Sequence, residues 1–225
     1  MITLVTCVVG HNNPLGHNNS TTIGIVLYPG FEELDVFGPR AILSFNKTYL
    51  ITEKPGIVES RTGAQLKVDY HFQNHPQFDV LMIPGGIVKQ QLTNPVIIQF
   101  IEEQAKKAQI VLTVCTGSAL LAKTGLLDGL KATTNKMVWS SVTSRFPEVK
   151  WVRHARWAQD GKYISSSGVS AGTDMATYFV QKYLGEEILH IRLNFTEYIW
   201  NSDSNNDPYT FAEMDFPPDT LSYII

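Results

Sequence analysis

The chain alternates between short, almost continuously apolar runs and longer segments in which apolar residues recur every three or four positions. The apolar runs are IGIVLYP (23–29), FDVLMIP (78–84) and QIVLTV (109–114). Such runs are typical of strands that are covered on both faces of a sheet. Residues 94–108 have the helical spacing, with Asn94 as a candidate N-cap and Pro95 at the first helical position. Strands that alternate with helices predict an α/β fold with a mostly parallel central sheet and helices on both faces.

Several further segments complete the predicted order of elements. Residues 31–45 suit a helix. Its apolar side chains are Leu34, Phe37, Ala41 and Phe45. Asp160-Gly161 stands between two β-rich runs, which predicts a hairpin. The segments 169–185 and 186–200 have the apolar spacing of two long helices.

The polar and turn-rich stretches divide the chain into three parts. Residues 11–22 (HNNPLGHNNSTT) have the composition of a linker, so we interpret 1–22 as an N-terminal extension. Residues 23–200 are predicted to form one domain. Residues 201–225 are polar, aromatic and proline-rich, and we expect them to form a tail that packs on the domain.

Composition narrows the class of protein. The 225 residues are 44% hydrophobic and 17% charged, which is ordinary for a globular chain. A net charge of −3 argues against nucleic-acid binding, which needs a basic face. No apolar run reaches the roughly 18 residues of a membrane span, and the N-terminus lacks the basic start of a signal peptide. Cys7 and Cys115 show no disulfide or metal-binding spacing, so a cytoplasmic protein with free thiols is expected.

Three predicted strands are followed by residues that could carry chemistry. Ligands of open α/β sheets bind beyond the carboxyl ends of the strands. Asp35 follows the first run after Pro29-Gly30, Gly85-Gly86 ends the second, and Cys115-Thr116-Gly117 ends the third. We expect these three ends to meet at one edge of the sheet.

Cys115 allows two interpretations. Its strand-to-helix position resembles a nucleophile elbow, where the helix N-terminus would lower the pKa of an exposed thiol. The N–H of Thr116 and an N–H from Gly85-Gly86, which lack side chains, could then bind an anion. The alternative is an inert cysteine buried in the core. Spacing alone does not decide between them.

The other titratable candidates are weaker. Asp35 is either an exposed acid in the first turn of a helix or a buried functional acid, and its position alone favours the exposed interpretation. His71 and His75 lie four residues apart before a proline, without a third ligand, so no metal site is predicted.

The motifs together identify a family resemblance. PGFEELDVFGP, LMIPGG, VCTGSALLAKTGLLDG followed by KATT, and SSGVSAGTDMA occur in that order. They resemble the DJ-1/PfpI superfamily, and most closely its isonitrile hydratase-like branch. The resemblance implies a flavodoxin-like three-layer α/β sandwich that forms a homodimer with active sites near the interface.

The resemblance also implies roles for individual residues. Cys115 matches the nucleophile, and Asp35 matches the acid that hydrogen-bonds its sulfur. Gly86 and Thr116 match positions whose amides face the sulfur. The further residues placed at the pocket are Gly85, Gly168 and Val169.

Departures from related families restrict the chemistry. Protease-like and many glyoxalase-like members have histidine directly after the cysteine, where this chain has Thr116. His190 is followed by Ile191 and Arg192, so the His-x-Glu pair of class I amidotransferases is missing. The hydratase-like pattern after KATT continues with His and Trp, where this chain has Asn135.

The function that the resemblance implies is hydration of an isonitrile to an N-substituted formamide. A Cys115 thioimidate would form, with Asp35 as acid and base, and no metal or organic cofactor is expected. The expected partners are a small electrophilic substrate and a second copy of the chain, without nucleic acid or membrane. Two alternatives remain, namely a glyoxalase or deglycase acting on methylglyoxal and a non-enzymatic sensor of oxidative stress.

Overall fold

A computed structural model describes Leu15, residues 21–210 and residues 224–225. Cys7 and nearly all of the N-terminal extension predicted at 1–22 lie outside the described residues. The same holds for 211–223, which form the middle of the predicted C-terminal tail.

The described part of the chain is built around a seven-stranded sheet with two small two-stranded sheets. The strands are β1 Thr22–Val26, β2 Lys47–Thr52, β3 Ile57–Glu59, β4 Gln65–Lys67, β5 Tyr70–His71, β6 Val80–Ile83, β7 Ile110–Val114, β8 Lys131–Ala132, β9 Lys150–Trp151, β10 Trp157–Asp160 and β11 Tyr163–Ser166. The order in the large sheet is β10-β11-β7-β6-β1-β2-β5. Every pairing in it is parallel except β10 with β11. The predicted mostly parallel sheet is therefore confirmed.

The antiparallel pair is the hairpin that Asp160-Gly161 predicted. Asp160 pairs with Tyr163, and Gly161 takes a positive φ of 54° in the turn between them. The β3–β4 and β8–β9 pairs form separate two-stranded sheets. The first is antiparallel and the second is parallel.

Helices flank the sheet. They are α1 Glu33–Ile42, α2 Pro95–Lys107, α3 Gly117–Lys123, α4 Trp139–Thr143, α5 Ala171–Leu184 and α6 Glu186–Thr196, with 3₁₀ turns at Gln91–Thr93 and Lys136–Val138. Oδ1 of Asn94 accepts a hydrogen bond from the N–H of Val96 at 3.0 Å, which confirms the predicted cap of α2. The last helix ends before the predicted residue 200, since Glu197 adopts a left-handed conformation with φ 50°. None of the helices in the described ranges has the length and hydropathy that crossing a membrane requires.

The helix α1 exposes the apolar side chains that predicted it. Leu34 is 48% exposed and Phe37 39%, whereas Asp35 is fully buried. The exposed interpretation of Asp35, which its position alone favoured, is therefore wrong. The reason is packing. The face of α1 that carries Asp35, Val36 and Pro39 points toward the interior, and α1 contacts α5.

The central strands bring the predicted chemical residues together. β1, β6 and β7 are neighbours in the sheet, and the segments after β1 and β6 are joined by backbone hydrogen bonds. Glu32 N–H donates to the carbonyl of Gly85 at 2.8 Å, and Ile87 N–H donates to the carbonyl of Gly30 at 2.9 Å. The carboxyl ends of these strands consequently form one edge, as expected for an open α/β sheet.

Candidate active site

The turn between β7 and α3 holds Cys115 in a conformation that few side chains adopt. Its φ is 57°, in the left-handed region, which is unfavourable for a residue with a Cβ. The N–H of Cys115 donates to the carbonyl of Ser167 at 3.0 Å. At Gly117 an added Cβ would lie 2.2 Å from the carbonyl oxygen of Ile83, so only glycine fits there. This strained strand-to-helix turn is the geometry of a nucleophile elbow.

The thiol of Cys115 is nearly buried but reaches a cavity. The residue is 6% exposed, so the elbow does not hold it out in solvent. It lines a cavity of about 260 Å³ at the carboxyl edge of the sheet. The other lining residues are Glu32, Arg61, Gly86, Thr116, Asn135, Met137, Val138, Val169 and Ile224. Glu32 and Arg61 form an ion pair at 2.8 Å.

The side chain of Asn135 donates a hydrogen bond to the sulfur. Its Nδ2 donates to Sγ of Cys115 at 3.2 Å, and its Oδ1 accepts from the N–H of Met137 at 2.8 Å. The resemblance implies that Asp35, not Asn135, hydrogen-bonds the sulfur. In the sequence, Asn135 stands out only as a departure from a family pattern. The one available signal was a polar residue with N-cap character directly after KATT.

Asp35 is a buried carboxyl with one occupied and one unoccupied oxygen. The N–H of Gly85 donates to Oδ2 at 2.8 Å. Oδ1 accepts no hydrogen bond from the described residues. Burial raises the pKa of Asp35 well above its ordinary value, and the Gly85 N–H offsets only part of this effect. The surroundings of Asp35 therefore favour its neutral form, and Oδ1 is the oxygen left free to carry the proton.

Burial also raises the pKa of the Cys115 thiol, and the negative charge of Asp35 raises it further. Hydrogen bonds from Asn135 and Thr116 oppose this rise and are the smaller effect. The expectation that the helix terminus would favour a thiolate is thus wrong, because the loss of water outweighs the donors around the sulfur. Ionisation of Asp35 thus disfavours the thiolate of Cys115, so the protonation states of the two groups are linked. The pKa of Tyr28 is raised by its burial and, to a smaller extent, by the charges of Asp35 and Cys115.

Gly85, Gly86 and Thr116 form a close-packed support beneath the pair. The hydroxyl of Thr116 donates to the carbonyl of Gly86 at 3.0 Å and accepts from the Gly86 N–H at 2.9 Å. The Gly86 N–H is thus occupied by Thr116 and does not point at the sulfur as the resemblance implies. A Cβ on Gly85 would lie 2.7 Å from Oδ2 of Asp35 and from the nitrogen of Thr116. Glycine is required there to bring acid and elbow together.

A second cavity of about 300 Å³ adjoins the first. The two share Asn135, Met137 and Val169 in their walls. Gly168 lines the second cavity, and a Cβ there would lie 3.4 Å from Nδ2 of Asn135. The structure thus brings Gly168 and Val169 beside Asn135, where the resemblance places them at the pocket.

Residues 21–182, which contain the elbow and the buried acid, match the model of the DJ-1/PfpI family. The chain belongs to the DJ-1/PfpI family. Among solved structures, a THiJ/PfpI family protein from Pseudomonas syringae has a similar fold, with a TM-score of 0.75 at 22% identity. That match covers 99% of this chain and 90% of the other.

Curated relatives within the family differ in activity. An isonitrile hydratase from Pseudomonas putida is 33% identical over 168 residues, which are 72% of each chain. The deglycase PfpI from Pyrococcus furiosus is 25% identical, over 60% of this chain and 83% of the relative. Membership of the DJ-1/PfpI family is thus compatible with more than one reaction.

Proposed function

We propose that this DJ-1/PfpI protein hydrates an isonitrile to an N-substituted formamide, with Cys115 as nucleophile and Asp35 as acid and base. The observation that carries the proposal is the buried Asp35, which is coupled to Cys115 and has an oxygen without a hydrogen-bond partner among the described residues. Addition to an isonitrile needs both a nucleophile and a proton donor for the same carbon. The similarity to the Pseudomonas putida isonitrile hydratase supports this reaction.

In the first step, the coupled pair acts after one of its two protons has left, so that Cys115 is a thiolate and Asp35 is neutral. The sulfur attacks the terminal carbon of R–N≡C, and Asp35 donates its proton to that carbon. A C–S bond and a C–H bond form, which gives the thioimidate Cys115–S–CH=N–R and the Asp35 carboxylate.

In the second step, the Asp35 carboxylate takes a proton from water as the water oxygen adds to the thioimidate carbon. Asp35 then returns this proton to the nitrogen. The C–S bond breaks as the C=O bond forms, and the hydroxyl proton goes to Asp35. The product is HC(=O)–NH–R, and the cysteine thiolate and the neutral acid are restored.

The donors around the sulfur have a defined role in this cycle. The Nδ2 amide of Asn135 and the N–H of Thr116 stabilise negative charge on Sγ when the thiolate forms and when it leaves. Because burial raises the pKa values of both Cys115 and Asp35, the first proton leaves the pair more readily as pH rises. We therefore expect kcat/KM to increase with pH, over a range that lies above the ordinary pKa of a carboxyl.

The decisive experiment follows the conversion of an aryl isonitrile to its formamide by chromatography, with methylglyoxal assayed in parallel. We expect turnover of the isonitrile, its loss in Cys115→Ser and Asp35→Asn, and its retention in the matched variants Cys7→Ser and Asp79→Asn. Asp79 is a suitable control because its carboxyl binds Thr22 at the start of β1, at the opposite edge of the sheet.

Other outcomes identify the alternatives. Faster turnover of methylglyoxal than of the isonitrile would assign a glyoxalase or deglycase, as in the Pyrococcus furiosus relative. No turnover of either compound, with a gain of two oxygen atoms on Cys115 after mild peroxide, would favour a redox sensor.

A further inference from the structure

A segment beyond the residues that match the family model contacts the site. We call residues 200–210 the C-terminal strap. The Nε1–H of Trp200 donates to the carbonyl of Asp174 at 3.1 Å, and the carbonyl of Ser204 accepts from the N–H of Arg156 at 2.7 Å. The carbonyl of Thr210 accepts from Nε of Arg153 at 3.2 Å. Tyr209 of the strap lines the second cavity.

The strap places one charged side chain in the interior. Oδ2 of Asp207 lies 3.4 Å from Nζ of Lys136, and their side chains are 0% and 3% exposed. Nζ also donates to Oγ1 of Thr133 at 2.8 Å, to the carbonyl of Ala155 at 3.0 Å and to the carbonyl of Thr134 at 3.3 Å. The ammonium group thus ties the turn 133–136 together, and Asp207 is the one carboxylate that forms an ion pair with it among the described residues.

The same turn carries the groups that contact the nucleophile. The hydroxyl of Thr134 donates to the carbonyl of Cys115 at 3.2 Å, and Nδ2 of Asn135 donates to its sulfur at 3.2 Å. Asn135 directly precedes Lys136, so the position of its amide depends on how the lysine is anchored. A chain of contacts therefore runs from Asp207 through Lys136 and Asn135 to the sulfur.

We propose that Asp207 is a positioning residue of the site, which fixes the Asn135 amide against the Cys115 sulfur by anchoring Lys136. The inference rests on the proposed role of Cys115 as nucleophile. It extends the site to a segment that the family model does not include.

The charge of Asp207 is needed because Lys136 is buried. Burial lowers the pKa of Lys136 to about 8, and Asp207 is the main influence that raises it. Without that carboxylate the pKa of Lys136 falls further, so a larger fraction of the lysine is neutral. A neutral amine has two N–H donors instead of three, so it cannot keep all of its contacts in the turn. The turn then relaxes, and the hydrogen bond from Asn135 to the sulfur weakens.

The test measures the rate at which iodoacetamide alkylates Cys115 between pH 6 and pH 10, by intact mass, in a Cys7→Ser background. In Asp207→Asn we expect a rate at pH 8 about tenfold lower, the effect of one lost charge-assisted hydrogen bond on the thiolate population. Asn135→Ala should be slowed to a similar extent. The double variant should be no slower than Asn135→Ala alone, because both changes remove the same hydrogen bond.

The direction of the change in alkylation rate distinguishes a positioning role of Asp207 from a merely structural role. A variant whose fold is loosened exposes the buried thiol and is alkylated faster, not slower. Asp35 also influences the pKa of the thiol, and it is unchanged in every variant. Lys162→Met is the matched control, because Lys162 also makes three hydrogen bonds, in this case to three backbone carbonyls at the opposite edge of the sheet. The alkylation rate of this variant should equal that of the parent.

An unchanged or faster rate in Asp207→Asn would overturn the inference, as would additive slowing in the double variant. If Asp207→Asn does not fold, the apolar pair Lys136→Met/Asp207→Leu replaces the ion pair without a buried charge. This double variant should show the same slowing of Cys115 alkylation. Alkylation at the parent rate would also overturn the inference. Since no substrate is used, failure of isonitrile hydration leaves this result unaffected.

Discussion

The side-chain amide of Asn135 donates a hydrogen bond to the sulfur of Cys115 across 3.2 Å, although the two residues are 20 positions apart in the chain. The oxygen of the same amide caps the 3₁₀ turn Lys136–Val138 through the N–H of Met137. The cap fixes which end of the amide faces the sulfur, because only the oxygen can accept the Met137 N–H. A local capping interaction therefore orients a donor at the site.

Asn135→Asp should separate the cap from the donor. The carboxylate keeps an oxygen for the Met137 N–H but replaces the donor at the sulfur by a negative charge. We expect this charge to raise the pKa of the thiol further and to slow isonitrile turnover and alkylation of Cys115 at least tenfold at pH 7.5. Asn135→Ala, which removes both the donor and the cap but adds no charge, should be slowed less. Equal rates in the two variants would show that the charge near the sulfur does not matter.

Asp35→Asn should raise stability while it abolishes turnover. The pKa of Asp35 is raised in the folded state, so folding is favoured below the unfolded pKa of about 3.9 and this stability is lost as pH rises toward the folded pKa. The loss is about 1.4 kcal/mol for each pH unit in that window. Asparagine keeps an oxygen for the Gly85 N–H and has no such loss.

Thermal unfolding at several pH values checks this sign. The Tm difference between Asp35→Asn and the parent should grow as pH rises from about 5 toward the folded-state pKa of Asp35, by about 2–4 °C for each kcal/mol. Asp79→Asn serves as the control for the loss of a carboxylate away from the site. A Tm of Asp35→Asn that falls increasingly below the parent toward pH 8 would mean that Asp35 is charged in the folded protein.

The elements at the centre of the fold could be predicted because their signals are local. β1, β6 and β7 are continuous apolar runs, and Cys115 directly follows the last of them. The parallel order of such strands then brings their ends together without further information. The elbow and its neighbours in the sheet were therefore accessible from the sequence.

The polar contacts of the site were not accessible in this way. The pairing of Lys136 with Asp207 joins residues from two distant segments, and no periodic pattern records it. The burial of Asp35 likewise depends on which side of α1 faces inward. The apolar residues Leu34 and Phe37 predicted the helix correctly, but they lie on its exposed side. An apolar stripe predicts a helix and does not show what covers it. The thiol pKa differs from expectation for the same reason, because it depends on burial.

Thr116→Val should destabilise the protein although valine has nearly the same shape. The Thr116 hydroxyl is both donor and acceptor for the backbone of Gly86, in a buried position. Valine leaves the N–H and the carbonyl of Gly86 without this partner, which should lower the free energy of unfolding by about 1–3 kcal/mol. Urea unfolding measures this loss, and Thr116→Ser, which keeps the hydroxyl, should lose much less. Equal stability of the two variants would contradict the assigned hydrogen bonds.

Phe37→Glu should weaken self-association. The homodimer that the resemblance implies needs an apolar contact, and α1 exposes Leu34 and Phe37, the first of which also lines the second cavity. We therefore expect a second copy of the chain to cover this face, so that a buried glutamate there would repel it. Sedimentation equilibrium should give a dimer mass for the parent and a monomer mass for Phe37→Glu. Ile57→Glu is the control, because Ile57 is 66% exposed and belongs to β3 and not to α1. The mass of this variant should match that of the parent. A dimeric Phe37→Glu would show that the contact lies elsewhere. A monomeric parent would show that the expected homodimer does not form.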